Sequence, residues 1–428
     1  LRMVYDKSLN NGILTIDFSI ISHLQNPETQ FFKWKVVGQP KETFSQYMTG
    51  TDLTFRGIFS YSKKISGKLQ FIAGIEYENT NSVPPYANDE VLGNSYQYAG
   101  GNIDLIKKNL TIEENRFAGF GQFILSVSKQ LDLVVGGRYD HSSRYKGTFN
   151  QRMGIIINPT RHTTLKIIYG TAFQAPSLFY QFEQFGIPPF TFRSTNEIIR
   201  NEDPDWQLKN QRLETYEINC QHRLNERLTM QFSAYRNNLR DLIERVMYDT
   251  TGSTWNKYFN RYTNGQRNEN IGRQKITGVN LTIHYQPDRN ISAYAAYSYT
   301  DAIAKKAEAD VPIARVAKHK IWAGIDIRNI MNHVSISPRF KWIGRRNTTP
   351  TNTLYAQNGQ PGYLNCDLSL TVHNLLKRTR FHLFLGNLFN SHIEHAGLYG
   401  QSGIYPPIIP QPGFHFRFGF SYHYQLKQ

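Results

Sequence analysis

Residues 414–424 read FHFRFGFSYHY, and this stretch decides the fold. Every even position is aromatic: Phe414, Phe416, Phe418, Phe420, Tyr422 and Tyr424. The odd positions are His415, Arg417, Gly419, Ser421 and His423. A two-residue period belongs to a β-strand, whose successive side chains point to opposite faces; a helix would need a period of 3.6. Strands of soluble sandwiches usually run about 5 to 6 residues, and this one runs about twice that. Strands that cross a bilayer at a tilt need about 9 to 11 residues, apolar toward lipid and polar toward the lumen, with aromatics near the interfaces.

The same alternation recurs along the chain. Leu364, Cys366, Leu368, Leu370 and Val372 alternate with Asn365, Asp367, Ser369, Thr371 and His373. Ile321, Ala323, Ile325 and Ile327 alternate with polar or small residues, as do Val279, Leu281, Ile283 and Tyr285. LQFIAGIEY (69–77), LDLVVGGRYD (131–140) and TLKIIYG (164–170) extend the series. Short polar turns such as SKKISGK (62–68), SKQLD (128–132), NPTRH (158–162), RLNER (223–227), QPDRN (286–290) and NIMNH (329–333) join strands in pairs. Long irregular segments near 80–116, 173–211, 247–268, 302–317, 346–361 and 391–411 separate the pairs, and RYKG (144–147) is a short connection where a long one is due. Short turns at one end and long loops at the other are the pattern of an outer-membrane barrel. The expected fold is therefore all-β: one transmembrane antiparallel β-barrel domain over residues 1–428. About seventeen strands follow residue 12, and residues 1–11 are either an eighteenth strand or a loop.

Composition agrees. Only 39% of the 428 residues are hydrophobic and no run of about 18 apolar residues occurs, which excludes a helical membrane bundle but not a barrel, whose signal is interleaved. Tyr and Phe are abundant, at 26 and 27 residues, as aromatic girdles or a ligand-binding surface would require. The net charge of +16 comes from Lys and Arg spread along the chain, without a nucleic-acid-binding motif; it suits a solvated surface, anionic lipid or an anionic solute. Cys220 and Cys366 fall on the apolar registers of strands far apart in sequence and read as free, lipid-facing thiols. The chain opens without a signal peptide, as a mature or truncated product.

Several blocks resemble one family, the TonB-dependent outer-membrane receptors. LVVGGRYDH (133–141) and FNQRMGIIINPTRHTTLKIIYGTAFQAPSLFYQF (149–182) are similar to its "GGRYD", "NPRLG" and "YG-AFRAPS" blocks. NEDPDWQLKNQRLETYEINC (201–220) resembles "NPDLKPE…YE-G", with Trp206 and Gln207 departing from it; NENIGRQKITGVNLTI (268–283) resembles "YENVGKARIQGVE", and FLGNLFNSHI (384–393) its penultimate strand. The resemblance spans about 115–424 and lies in the order of the blocks. It implies a Gram-negative outer membrane, a 22-stranded barrel whose first strands and plug lie outside this sequence, and uptake of a scarce solute such as a ferric chelate, cobalamin or glycan. The implied partners are outer-membrane lipid and lipopolysaccharide, a plug in cis or as a separate chain, the TonB complex acting through the plug, and an extracellular solute. The alternative of another class is a structural or interaction barrel whose lumen is filled by a separate chain. No enzyme motif, cofactor or nucleic-acid partner is expected.

Candidate solute-binding residues are the loop aromatics Phe179, Tyr180, Phe182, Phe185, Phe190 and Phe192 beside Arg193, and Tyr399 and Tyr405 among prolines. His392, Glu394 and His395 have donors for a metal but lack a third nitrogen or sulfur ligand nearby, and no metal is expected. Residues 177–210 contain no His, which argues against haem. On the lumen register, Arg56, Arg138, Arg152, Lys166, Arg328, Arg339, Lys341 and Arg417 face Glu76, Asp132, Asp140, Asp326 and Asp367, a charged seat for a plug.

Overall fold

A computed structural model describes residues 1–25, 30–35, 43–89, 111–177, 190–194, 197–200, 208–249, 264–306, 309–349, 352–355, 358–373, 378–397 and 407–422. The strands are β1 (Arg2–Leu9), β2 (Gly12–Gln25), β3 (Gln30–Lys35), β4 (Thr43–Lys64), β5 (Leu69–Asp89), β6 (Ile112–Ser128), β7 (Leu131–Ser142) and β8 (Thr148–Thr160). They continue with β9 (Thr163–Gln174), β10 (Phe190–Ser194), β11 (Glu197–Arg200), β12 (Gln211–Asn225), β13 (Leu228–Asp249), β14 (Asn264–Tyr285) and β15 (Ile291–Lys305). The last are β16 (Asp310–Pro312), β17 (His319–Ile330), β18 (Val334–Ile343), β19 (Tyr363–His373), β20 (Thr379–Gly386), β21 (Glu394–Ala396), β22 (Ile408–Pro410) and β23 (His415–Tyr422).

Seventeen of these form one antiparallel meander: β1, β2, β4 to β9, β12 to β15, β17 to β20 and β23, each paired with the next. The short β3 and β16 extend β4 and β15, and β10–β11 and β21–β22 are separate hairpins. Residues 2–9 are thus a wall strand, and among the described residues sixteen wall strands start from Gly12 onward, against the about seventeen expected. The short β3 pairs back on the loop-end part of β4 and adds no wall strand of its own. Among the described residues no ladder joins β1 to β23.

The register carries the alternation across every ladder. Phe416, Phe418 and Phe420 lie opposite Leu385, Leu383 and Phe381, whose neighbours continue onto Leu368, Leu370 and Val372. These faces point outward and stay bare: Phe416 is 67% exposed and Ile75 65%. Apolar side chains left on a sheet's outer face are what a lipid-facing wall requires. Cys220 and Cys366 are both free. Cys366 keeps the outward register but is buried, a small thiol opposite Phe340 and between Leu364 and Leu368. On the inner face, aromatic rings lie across glycines of the facing strand: Phe120 over Gly74, Tyr235 over Gly278 and Tyr294 over Gly324. Each ring fills the gap left where the wall has no side chain.

The turns sort by end. Asn10 and Asn11, with φ of 48° and 61°, make the two-residue link between β1 and β2, as a primed hairpin turn demands. Tight turns after β4, β6, β8, β12, β14 and β17 lie at the same end. At the opposite end the RYKG connection between β7 and β8 is short as expected, and it is pinned by the buried Tyr145.

Candidate functional site

The inner face of the wall is a ladder of ion pairs. Arg56 Nε lies 2.6 Å from Glu76 Oε1, and Arg138 Nη1 lies 2.9 Å from Glu76 Oε2. Arg138 also reaches Asp140 at 2.7 Å, so one carboxylate joins three strands. Closer to the loop end, Arg116 pairs with Glu78 at 3.2 Å and with the buried Glu114 at 3.0 Å. Arg339 pairs with Asp326 at 2.5 Å, and Arg417 stacks 4.6 Å from the Phe384 ring. Asp132 accepts from Ser126, and Asp367 from the Asn387 backbone. Three of the eight cations on the lumen register, Arg56, Arg138 and Arg339, thus pair with acids of the same register, as period-two placement on nearby strands allows. A cavity of about 350 Å³ opens on this face, lined by Phe120, Gln122, Arg138, Asn150 and Arg152 among others.

Above β18 to β20 the long connections build a second cluster. Arg346, between β18 and β19, is buried. Its Nη1 donates to His395 Nδ1 at 3.0 Å and its Nη2 to the Glu394 carbonyl at 3.2 Å, and its guanidinium lies 5.4 Å from the Tyr363 ring. Gln360 Nε2 donates to the same carbonyl at 2.6 Å. The Glu394 carboxylate accepts from the Tyr355 hydroxyl at 2.8 Å and lies 2.6 Å from His392 Nε2. Asn352, fully buried, donates to the carbonyls of Gly397 and Pro407, both at 3.0 Å, and so clamps the two ends of the β21–β22 hairpin.

These contacts set the charges of the cluster. The Tyr355 and His392 hydrogen bonds hold the Glu394 carboxyl below the ordinary carboxylate range. Burial, then Glu394, pushes Tyr355 up to about 12. Burial, then Arg346 and Lys341, holds His395 below the usual imidazole range. A neutral His395 is also what Arg346 needs, because Nδ1 must accept its proton. The arrangement can hold a carbonyl or an anionic edge and fix the hairpin above the barrel.

The motif SHIEHAG is thereby split: His392 turns to the Glu394 carboxylate, while His395 takes a guanidinium. Among the described residues no three His, Cys, Asp or Glu side chains gather as a metal-holding group. Phe179, Tyr180, Phe182, Phe185, Tyr399 and Tyr405 lie outside the described residues, and Phe190, Phe192 and Arg193 lie on β10, paired with β11. The residues that sequence reasoning missed are Arg346, Asn352, Tyr355 and Gln360. Their partners lie 34 to 55 positions away, so no local spacing could reveal them.

Residues 5–390 match the family model described as TonB dependent receptor-like, beta-barrel. No curated protein matches the sequence. Among solved structures, the chain is similar to the siderophore receptor PirA of Acinetobacter baumannii, with a TM-score of 0.66, 16% identity, and coverage of 98% of this chain and 61% of that one. A ferric enterobactin receptor mutant of Pseudomonas aeruginosa gives 0.65 and 14%, covering 98% and 60%. The FrpB iron transporter of Neisseria meningitidis gives 0.63 and 14%, covering 98% and 63%. The chain therefore spans about three fifths of the length of these structures. With the family model covering most of the chain and the wall two-faced throughout, this chain belongs to the TonB-dependent receptors, as a transmembrane β-barrel of that family.

Proposed function

We propose that this chain forms the barrel wall of an outer-membrane transporter of a Gram-negative bacterium that takes up a scarce solute, a ferric chelate first among the candidates. The observation that carries the proposal is the two-faced wall, apolar outside and cross-linked by ion pairs such as Arg56–Glu76–Arg138 inside. Such a wall is rigid, and its backbone hydrogen bonds are satisfied within lipid. In this reading a plug, in cis or as a separate chain, seats on the charged inner face, and the TonB complex moves it. The work is binding and gating, without covalent catalysis.

Capture falls to the loops at the open end, with Phe179, Tyr180, Phe182, Phe185, Phe190, Phe192, Arg193, Tyr399 and Tyr405 as the aromatic and cationic contacts. The Arg346 cluster would hold the last loop in place beside them. The ferric chelate is favoured because the names of several similar structures speak of siderophores, ferric enterobactin or iron. The test is uptake of radiolabelled iron chelates by cells that carry the full-length receptor as their sole such receptor, with and without functional TonB. TonB-dependent uptake is expected. Uptake of no chelate, or equal uptake without TonB, would overturn the proposal.

A further inference from the structure

The short turns that join the wall strands in pairs carry a repeated charge. Lys68 (β4–β5), Lys129 (β6–β7), Arg161 (β8–β9), Arg227 (β12–β13) and Arg289 (β14–β15) stand on five successive turns, and every one is exposed. Arg378, just before β20, is exposed at the same end. Neighbouring strands lie about 4.8 Å apart, so successive turns follow at about 10 Å and the five cations extend along about 40 Å of rim. The five turns are only two to five residues long, which keeps the cations close to one level.

Among the described residues none of these six cations has an ion-pair partner. The acids on the same turns are Glu226 and Asp288, and the Asp288 carboxylate is turned back onto the amides of Asn290 and Ile291 at 2.7 and 3.0 Å. Just inside the mouth, Lys64, Lys166, Arg223 and Arg380 add exposed cations on the lumen register, opposite Gln70, Asn219, Thr229 and Ser421. Asp132, at the same end of that register, accepts from Ser126. The turn end is therefore cationic and unpaired. Nearer the loops the opposite holds, with Arg56, Arg116 and Arg138 bound to Glu76, Glu78, Glu114 and Asp140.

Lipid does not account for these positions. The outward register beside the turns is apolar and exposed at Leu125, Tyr285 and Tyr422, with Lys7 and Lys63 as its cations, whereas Lys64, Lys166, Arg223 and Arg380 face the lumen. A small anion engages one or two cations and leaves the rest of the row unpaired. A folded acidic partner of standard size covers about 800 Å², a patch roughly 30 Å across, and also leaves the row incomplete. An extended polyanion engages all of it, each contact raising the effective concentration for the next. We infer that the turn end of the wall docks on a carboxylate-bearing polymer of the periplasm, the peptide stems of the cell wall. In an outer membrane, the reading on which this depends, the short turns face the periplasm, where that polymer lies.

The test is co-sedimentation of the full-length receptor, in detergent, with purified protease-treated sacculi, against sacculi whose carboxyls have been amidated. Native sacculi are expected to bring the receptor down and amidated ones to leave it in solution, with the binding falling steeply as salt rises. The variant Lys68→Gln, Lys129→Gln, Arg161→Gln, Arg227→Gln, Arg289→Gln is expected to bind on the order of tenfold more weakly, and Glu226→Gln more tightly. Equal binding of amidated sacculi, or no loss in a charge variant that still folds, overturns the inference. The amidation arm uses the wild type, so a variant that fails to fold does not rescue it. Tighter binding to vesicles of anionic phospholipid than to sacculi overturns the polymer in favour of headgroups, and binding to untreated sacculi alone overturns it in favour of a wall-attached protein. Sacculus binding without TonB-dependent iron uptake strikes the solute reading alone, and uptake without sacculus binding strikes this one alone.

Discussion

Replacing Asn352 by Ala should loosen the β21–β22 hairpin without disturbing the wall. Asn352 is fully buried, and its Nδ2 donates to Gly397 and Pro407, one residue beyond each strand end. Net hydrogen-bond contributions cluster near 1 kcal/mol each, so the loss of two costs about 2 kcal/mol. Pro407 keeps a second donor, the Gly397 amide at 2.8 Å, so its carbonyl is not stranded. The cost falls on local opening, because among the described residues the hairpin's strands pair only with each other while each wall strand is laddered to its neighbours. At 1.4 kcal/mol per tenfold, about 2 kcal/mol predicts roughly thirtyfold faster hydrogen exchange. The amides to follow are Gly397 and Gln411, which donate to Pro407 and Ile393 across the hairpin. Amides in β12 should not change. Protection at Gly397 unchanged within about threefold, or an equal loss in β12, would refute the reasoning.

Acid should act on the same hairpin. His395 has a folded pKa held below its unfolded value, so its contribution is intact above about pH 6.5 and declines as pH falls below that value. The protection factor at Gly397, taken against the intrinsic exchange rate at each pH, should fall as pH drops below about 6.5, and His395→Gln should remove that step; a pH-flat protection factor in the wild type would argue against it. Glu394, held low by Tyr355 and His392, adds a separate loss below about pH 4.5. Tyr145→Phe should be neutral or stabilising by up to about 1 kcal/mol, because the buried hydroxyl has no hydrogen-bond partner among the described residues. A lower urea midpoint would reveal a partner for it. Gly74→Ala should destabilise by about 1 to 3 kcal/mol, because the new Cβ meets both the Phe120 ring and the Phe59 carbonyl at 2.5 Å. An unshifted unfolding midpoint would count against that packing.

The wall was legible because one physical rule, two residues per repeat, governs every strand and leaves its trace within ten positions. The β1–β2 hairpin was legible too, in Asn10-Asn11-Gly12, but its signal is a turn rather than a period, and the reading of residues 1–11 left it open. The β3–β4 hairpin marks the limit of that rule, because alternation reports that a segment is a strand and not what it pairs with. The Arg346 cluster was not legible at all. Arg346, Tyr355 and Gln360 meet Glu394 and His395 only because β18 to β20 bring two distant connections together, and the sequence contains no local mark of that meeting. SHIEHAG shows the converse: of three good ligands within four positions, His392 and Glu394 meet each other while His395 is taken by Arg346.

Period-two placement also explains why the same residue type has different roles on the two faces. Inside, Arg56, Arg116, Arg138 and Arg339 each find a carboxylate on their own strand or on a neighbouring one. Such pairs gain little where water reaches them, but together they hold the strands in register around an interior that must stay polar. Outside, an arginine below the row of Tyr169 and Tyr216 would be expensive in hydrocarbon, and the outward Lys and Arg residues on β12 to β14 occur at that row, where Arg236 lies opposite Tyr216, or above it. There Arg212 and Arg240 oppose each other without enough acid to neutralise them. A wall that needed only to be inert could place serine or threonine at those positions. Keeping two arginines face to face has a cost. A net charge of +16, spread along the sequence, is in three dimensions an inner face on which Arg56, Arg116, Arg138 and Arg339 are paired with acids and, over β12 to β14, an outer rim with more cations than acids.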